Sequence, residues 1–200
     1  MPRPRSYSRA QVIDTAMQRF WYFGFEATSI DDLVRVTGVS RHGLYTEFSG
    51  KDALFEACLA AYSEAVVTPA FQQVEAEGAT LNEVNSFFVQ QIALAETVGL
   101  PGPGCLMANT MTEVAPHRTP VLALVAQHND RLKAGFENAL RGSVRSTGKR
   151  PSRQVIGELA DLLVIFANGL WSVSRTIDDG RQLKRAVRSF LKSITARIST

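Results

Sequence analysis

The chain has 200 residues, of which 45% are hydrophobic and 20% are charged. This length predicts one domain or two small ones with a buried core, and the composition excludes a disordered chain, a collagen-like repeat and a disulfide-rich scaffold. The formal net charge of +3 is too small to indicate a nucleic-acid partner by itself. Its distribution is more informative, because Arg3, Arg5 and Arg9 all precede the first acidic residue.

The targeting features of the sequence favour a cytoplasmic protein without a membrane partner. Two cysteines, Cys58 and Cys105, are too few for a secreted disulfide framework, so we expect a reducing compartment. The N-terminal residues carry no apolar stretch of the signal-peptide type. The most apolar segment, residues 159–173, is interrupted by Asp161 and Asn168, and we expect it to be too short and too polar to span a membrane.

Long stretches without proline, with apolar residues at helical spacing, predict an all-α protein. The first helix is expected to follow a capping box of Ser8 and Gln11 and to end at Gly24. A second, short helix begins after Thr28 or Ser29, either of which can cap it. The later segments expected to be helical are residues 40–48, 51–66, 81–98, 105–114, 120–140, 151–177 and 181–198, with a basic loop over residues 141–153.

Residues 29–48 carry the pattern of a helix-turn-helix. Such a unit needs apolar residues on its first helix, a glycine in the turn, an apolar residue after the turn and an apolar anchor on the second helix. Burial of the anchors leaves the outer face of the second helix free to enter the major groove of DNA. The required positions are filled by Ile30, Leu33, Val34, Gly38, Val39 and Leu44.

The free face of the second helix carries candidates for reading DNA bases. Arg41 can donate two hydrogen bonds to the O6 and N7 atoms of guanine. His42 can reach an acceptor or a phosphate, and Gly43 lets the backbone approach closely. Thr46 lies on the same face, and Ser40 caps the helix at its N-terminal end.

Other side chains near this helix suit contact with DNA phosphates. Lys51 stands at the start of a helix, where free N–H groups attract an anion. The hydroxyl of Thr28 and the phenol of Tyr45 can each donate a hydrogen bond. The arm with Arg3 and Arg5 suits a narrow minor groove. Two plainer interpretations stay open at this point: a solvated basic tail, and a half-buried core position for Tyr45.

The string GVSRHGLYTEFSGK, residues 38–51, resembles the DNA-binding region of TetR/AcrR-family transcriptional regulators. The sequence departs from the usual family pattern at Thr46, where histidine is common, and at Glu47, where an aromatic or basic residue is common. We expect the Glu47 carboxylate to point away from phosphates or to contact the N4 atom of a cytosine. The matching positions are Gly24, Phe25, Thr28, Gly38, Val39, Ser40, Leu44, Tyr45, Phe48, Lys51, Asp52 and Leu54.

The resemblance implies a two-domain regulator that acts as a homodimer on double-stranded operator DNA. Residues 1–50 would form an N-terminal three-helix helix-turn-helix domain, and residues 51–200 a larger helical domain for ligand binding and dimerisation. It implies phosphate contacts by Thr28, Tyr45 and Lys51, and repression relieved by a small-molecule ligand. The last two helices would pack with their copies into a four-helix bundle, which their apolar stripes support. The stripe residues are Leu159, Leu163, Phe166, Leu170, Val187, Phe190 and Ile194.

The second domain is expected to hold an apolar pocket with a few polar groups. Aromatic and methionine side chains at helical spacing can equally be plain core, whereas buried amides such as Gln91 and Asn168 need partners. The candidate lining residues are Tyr62, Phe88, Gln91, Met107, Met111, Asn168 and Trp171.

Cys105 offers an alternative signal, in which an electrophile or oxidant modifies a thiol. It opens a predicted helix, and the helix dipole is expected to lower the pKa of a thiol there and favour the reactive thiolate. The plainer interpretation is a small buried side chain.

No cofactor or metal is expected from the sequence. Pro116 separates Glu113 from His117, no Cys/His spacing of a zinc site is present, and neither a glycine-rich phosphate loop nor a nucleophile elbow is found. An all-helical enzyme is the alternative from another class of protein. It would require a paired acid and base, whereas the three histidines are not clustered in the sequence.

Overall fold

The computed structural model describes residues 7–145 and 151–198, and all regular structure in these ranges is helical. The predicted all-α fold is therefore confirmed. The π-helical segment Ser63–Val67 joins α4 to α5, and a short 3-10 helix, Ala115–His117, precedes α8. The helices are α1 Arg9–Phe23, α2 Ile30–Thr37, α3 Arg41–Phe48, α4 Lys51–Tyr62, α5 Thr68–Glu75, α6 Leu81–Val98, α7 Leu106–Glu113, α8 Thr119–Arg145, α9 Arg153–Val173 and α10 Gly180–Ile198.

Local capping explains why the first helices begin where they do. The Ser8 hydroxyl accepts the N–H of Gln11 at 3.1 Å, and the Gln11 side chain accepts the N–H of Ser8, as the capping box predicts. Ser29, and not Thr28, caps α2, through a reciprocal pair with Asp32. These bonds satisfy N–H groups that a helix start leaves free.

The described residues form two compact units. The first comprises residues 7–66 and 105–125, and the second residues 67–104 together with the described residues from 126 onward. These units do not follow the expected division after residue 50, because α4 packs along α1 and α7 also belongs to the first unit. The functional division between DNA binding and ligand binding stays a prediction.

An aromatic cluster holds α1 and α4 together in the first unit. The ring of Phe20 lies 5.0 Å from that of Phe55, and Phe25 lies 4.8 Å from Phe55. All three rings are buried. Burial of such large apolar surfaces is the main stabilising contribution to a small helical unit.

The predicted dimer stripes of the last two helices are largely the core of the second unit. Leu159, Leu163 and Val187 are fully buried within one chain, and Leu170 and Ile194 are nearly so. The half-buried rings of Phe166 and Phe190 stack on each other with centroids 4.0 Å apart. Assigning the buried members to a dimer interface was wrong, because helical spacing marks a core-facing side without revealing whether the core lies within one chain.

Helix α8 is longer than the sequence predicts. It continues from the expected end near Leu140 to Arg145, so the first part of the predicted basic loop is helical. Ser143 explains the extension, because its hydroxyl accepts the N–H of Leu81 at 2.8 Å and fixes this turn to the start of α6. Residues 146–150 of the predicted loop lie outside the described residues, as do Arg3 and Arg5.

Two helical stretches, Lys51–Glu75 and Arg153–Val173, are long and apolar enough to cross a membrane by length and composition. The second stretch is longer than residues 159–173, to which the sequence expectation applied. The core helices of soluble proteins meet the same criterion. Both stretches place apolar side chains in the cores described above, for example Phe55 on α4 and Leu163 on α9.

Candidate nucleic-acid interface and ligand site

Helix α3 is the second helix of the helix-turn-helix, and its two faces differ sharply. Gly38 ends α2 with a left-handed backbone, φ 70°, and Ser40 then caps α3 by accepting the N–H of Gly43 at 3.1 Å. Leu44 and Phe48 are buried. The remaining outward side chains form a polar face, so α3 is anchored on one side only. The exposed side chains are Arg41, His42, Tyr45 and Thr46.

Gly43 has a packing role that the sequence did not indicate. A Cβ atom at this position would lie 2.8 Å from Cγ1 of Val39 and 3.1 Å from the hydroxyl of Tyr7. The glycine therefore makes room for the chain that leads into α1. Tyr7 is the first described residue, and its hydroxyl lies beside the first turn of α3.

The carboxylate of Glu47 is engaged within the chain. Arg9 donates from Nη1 to Oε1 of Glu47 at 3.3 Å and to the Glu47 carbonyl at 2.9 Å. Its guanidinium also lies 4.3 Å from the centroid of the Phe48 ring. The side chain of Glu47 is mostly buried, so its negative charge is offset by Arg9, in line with the expectation that it points away from phosphates.

A second ion pair lies on the outer face of the helix-turn-helix. Arg41 at the start of α3 donates from Nη2 to Oδ1 of Asp31 on α2 at 2.7 Å. No motif in the sequence marks this pair, because the two residues are ten positions apart and on different helices.

Tyr45, Gly50 and Lys51 meet at the N-terminal end of α4. Gly50 precedes the helix without a side-chain cap, and the Tyr45 ring lies 3.5 Å from where a Gly50 Cβ would stand. The ammonium of Lys51 lies 4.0 Å above the Phe25 ring. Burial lowers the pKa of Lys51, while the nearby carboxylate of Glu26 opposes that shift. Tyr45 is 49% exposed, so its side chain is partly accessible to solvent.

Thr28 is the DNA-binding candidate that the structure places in the interior. It is fully buried, and its hydroxyl donates to the carbonyl of Gly24 at 2.7 Å. That hydroxyl has only one proton. Thr28 therefore supports the turn between α1 and α2 from inside, and Ser29 takes the capping position.

The end of α7 and the segment after it make polar contacts with the residues around Phe25 and the start of α4. Glu113 accepts the N–H of Glu26 at 2.8 Å, and Arg118 pairs with the carboxylates of Asp52 and Glu26. The Arg118 guanidinium also lies 4.7 Å from the Phe25 ring centroid. The sequence had raised Glu113 only as a metal ligand, and its structural role is to accept a backbone N–H.

Four ligand-site candidates lie in the first unit: Tyr62, Cys105, Met107 and Met111. Tyr62 and Met107 are buried, and the Tyr62 hydroxyl is hydrogen-bonded to the Cys105 thiol. Burial raises the pKa of Cys105 even though it stands at the start of α7. This is the opposite of the sequence prediction, because the loss of solvation outweighs the hydrogen bonds that the thiol accepts.

The other four candidates lie in the second unit: Phe88, Gln91, Asn168 and Trp171. Phe88 is a fully buried core residue whose ring packs 5.6 Å from that of Phe166. Gln91 and Trp171 are half-buried. Nδ2 of Asn168 donates to Oδ1 of Asn129 at 3.1 Å, whereas the buried Oδ1 of Asn168 has no hydrogen-bond partner among the described residues.

His128 is a buried polar residue that the sequence left without a role. It is 8% exposed, and its Nδ1 atom has no hydrogen-bond partner among the described residues. Burial lowers the pKa of His128 to about 4, and the neighbouring guanidinium of Arg131 lowers it further. At neutral pH the imidazole is therefore uncharged. Within residues 7–145 and 151–198, no group of three or more His, Cys, Asp or Glu residues is arranged to hold a metal ion.

The all-helical fold and the exposed second helix define a helix-turn-helix protein. The family model described as bacterial regulatory proteins of the tetR family matches residues 12–58. This range spans α1, α2, α3 and the first half of α4. This match agrees with the resemblance to TetR/AcrR-family regulators read from residues 38–51.

Two curated relatives carry the same kind of helix-turn-helix. The HTH-type transcriptional repressor ComR of Escherichia coli K12 is 34% identical over 114 residues, which are 57% of this chain and 54% of ComR. The chain thus spans about half the length of that relative. The HTH-type transcriptional regulator YezE of Bacillus subtilis 168 is 25% identical over 141 residues, which are 70% of this chain and 72% of YezE.

The likeness to a solved structure covers nearly the whole length of both chains. A cysteine mutant of the TetR-family transcriptional regulator CifR, complexed with 26-bp double-strand operator DNA, superposes with a TM-score of 0.80. The superposition covers 96% of this chain and 98% of CifR, at 19% sequence identity. At that identity the likeness shows a shared fold.

Proposed function

We propose that the chain is a sequence-specific DNA-binding transcriptional regulator of the cytoplasm, and that it is a repressor. The observation that carries this proposal is the two-sided character of α3. Leu44 and Phe48 anchor the helix, while Arg41, His42 and Thr46 are exposed at its surface. A helix held in this way can enter the major groove and bring these side chains to base edges.

Phosphate contacts are assigned to the groups around the start of α4. The uncapped N-terminal end of α4 attracts an anion through its free N–H groups and the helix dipole. Lys51, the phenol of Tyr45 and the hydroxyl of Ser40 lie at or near the exposed side of the same region. The arm with Arg3 and Arg5 is proposed to reach the minor groove, and the position of the Tyr7 hydroxyl beside α3 supports this.

The comparisons support repression, as opposed to activation, of the target genes. ComR is named a repressor, and CifR is complexed with operator DNA. We propose that this chain likewise binds a near-palindromic operator and leaves it when a small molecule shifts the protein toward a state with the wrong helix spacing.

Two unpartnered polar atoms in the second unit support a small-molecule signal. The Oδ1 atom of Asn168 can accept a hydrogen bond, and the Nδ1 atom of the uncharged His128 can donate or accept one. Buried polar groups without partners are rare in folded proteins. We propose that a ligand of the second unit carries a hydrogen-bond donor that meets Asn168. Modification of Cys105 is the less supported alternative, because its raised pKa keeps the thiol protonated.

A homodimer is proposed to form through the outward face of α9. Leu162, Ile165 and Val173 are exposed on this helix, and Ile165 is 68% exposed. Together with Gly169 they recur at helical spacing and form a stripe opposite the buried one. A two-fold pair would set the two α3 helices about 34–36 Å apart, one turn of DNA.

A selection from random-sequence DNA, followed by affinity measurements at several salt concentrations, tests the function. Arg41→Ala should relax the sequence preference at one position of each half-site, whereas Lys51→Ala should weaken all sequences about equally and reduce the salt slope by about 1. Lys192→Ala, which removes an exposed charge on α10, is the matched control and should change neither. A selection that enriches no sequence would refute the proposed function.

A further inference from the structure

Asp31 and Arg41 form an ion pair on the surface proposed to face DNA. Asp31 lies in the first turn of α2, and Arg41 is the first residue of α3. Nη2 of Arg41 and Oδ1 of Asp31 are 2.7 Å apart, and the two side chains are 58% and 79% exposed. Neither side chain belongs to a core, and the cap of α2 is made by Ser29 with Asp32, without Asp31.

The other carboxylates of α2 and α3 form hydrogen bonds that stabilise the helices or the contact with α1. Asp32 accepts the N–H of Ser29, and Glu47 accepts from Arg9 at 3.3 Å. Asp31 instead engages a side chain proposed to read bases. A negative charge at this place weakens attraction to phosphates, although it also favours the N-terminal end of α2.

We propose that Asp31 is a specificity-determining positioning residue that orients Arg41 toward a guanine. The proposal rests on the proposed function of DNA binding. A guanidinium carries five N–H donors in a rigid planar fork. With one N–H held by Asp31, four remain, and the planar geometry fixes their direction. The free edge of Arg41 can then donate two hydrogen bonds to the O6 and N7 atoms of guanine.

The pair gains strength only in the complex. In the free protein both groups are hydrated, and an exposed ion pair of this kind contributes little to folding stability. In the groove, water is displaced and the effective dielectric constant falls, so the same contact becomes stronger. Without Asp31, the long Arg41 side chain can instead form a hydrogen bond with a phosphate, and such a contact carries no sequence information.

Asp31→Asn tests this role because it keeps the shape of the side chain and removes its charge. The operator is first defined by selection with the wild-type protein, and the guanine that Arg41→Ala ceases to distinguish is then replaced. We expect the ratio of affinities for the operator with and without that guanine to be about tenfold smaller for Asp31→Asn than for the wild type. This loss is part of the discrimination that a bidentate arginine provides. Affinity for unrelated DNA should rise, since a negative charge has gone.

Two further variants separate positioning from general charge effects. Asp14→Asn removes an exposed carboxylate from α1 in the same unit, and it should leave the discrimination unchanged. In the double variant Asp31→Asn with Arg41→Ala, discrimination at that guanine should equal that of Arg41→Ala alone, because Asp31 acts through Arg41. Asp31→Glu should retain part of the preference.

The outcomes distinguish this proposal from the function on which it rests. A wild-type protein without sequence preference would refute the proposed function, and Asp31 would lose its role with it. A wild-type protein with a clear preference, combined with full discrimination by Asp31→Asn, would overturn the role of Asp31 alone. A further loss in the double variant beyond Arg41→Ala would also overturn it, because Asp31 would then act independently of Arg41.

Discussion

At the scale of single residues, His128 shows how burial decides the charge of a titratable group. The imidazole lies on the buried side of α8, where transfer from water disfavours its charged form. Arg131 adds a repulsive positive charge, although its own guanidinium is engaged with Glu75 at 2.6 Å. The folded protein therefore keeps His128 neutral well below the pH at which a free histidine takes up a proton.

Folding stability should depend on pH through His128. An unfolded histidine has a pKa near 6.5, whereas His128 in the folded chain has a pKa of about 4. Its contribution is fully present above about pH 6.5 and is lost as the pH falls toward 4, because the unfolded state then binds the proton first. The difference between the two pKa values corresponds to roughly 3 kcal/mol.

Urea unfolding at pH values from 7 to 5 measures this contribution. The free energy of unfolding of His128→Leu should decline less across that range than that of the wild type. His117→Gln, a change at an exposed histidine, is the control and should follow the wild type. Parallel slopes for His128→Leu and wild type would contradict the depressed pKa.

At the scale of secondary-structure elements, α8 shows tertiary contacts overriding local preference. Gly135 and Gly142 both lie inside this helix, where glycine is unfavourable by about 1 kcal/mol relative to alanine. The structure shows why they are tolerated. A Cβ at Gly135 would lie 2.4 Å from the Phe71 ring, and one at Gly142 would lie 2.0 Å from the carbonyl oxygen of Ala79.

Gly142→Ala should therefore destabilise the protein despite improving helix propensity. Helix propensity alone predicts a gain of about 1 kcal/mol, whereas forcing the Ala79 backbone away should cost about 1–3 kcal/mol. Chemical denaturation gives the net free energy. Gly157→Ala on α9 is the matched control, because a Cβ there meets no atom within 4 Å, and it should stabilise. If both variants gained stability, the close packing of α8 against residue 79 would be wrong.

At the scale of the whole molecule, the proposed regulation rests on the pairing of two copies. The α9 side chains that the sequence predicted to contact a second copy are mostly buried in the core of one chain. The outward stripe with Leu162, Ile165 and Val173 is therefore the proposed interface. Pairing buries apolar surface that would otherwise face water. In the proposed dimer, it would also set the distance between the two α3 helices, on which the proposed operator binding depends.

Ile165→Glu should convert the dimer into a folded monomer with weakened operator binding. A buried, unpaired carboxylate at the interface opposes association, while the core of each chain is untouched because Ile165 faces outward. Sedimentation velocity measures the mass, and DNA titration measures the loss of affinity. Val98→Glu changes an exposed apolar residue of α6 and should leave the mass at that of the wild type. A dimeric Ile165→Glu would place the interface elsewhere.

Local signals in the sequence were sufficient for the helix-turn-helix and for most helices, but not for α5 or for the last turn of α8. The caps at Ser8 and Ser40, the turn glycine at Gly38 and the apolar anchor Leu44 all act between residues close in the chain. Such short-range hydrogen bonds and spacings are readable in order along a sequence. They were enough to indicate the resemblance to TetR/AcrR-family regulators and the exposed face of α3.

Contacts between residues far apart in the sequence were decided only by the tertiary structure. Burial raised the pKa of Cys105 where a helix start alone predicts a lowered one. Packing also brought Asp31 to Arg41, across ten positions. Helical periodicity fixes which residues share a face, but burial, charge pairing and solvation depend on what the folded chain places against that face.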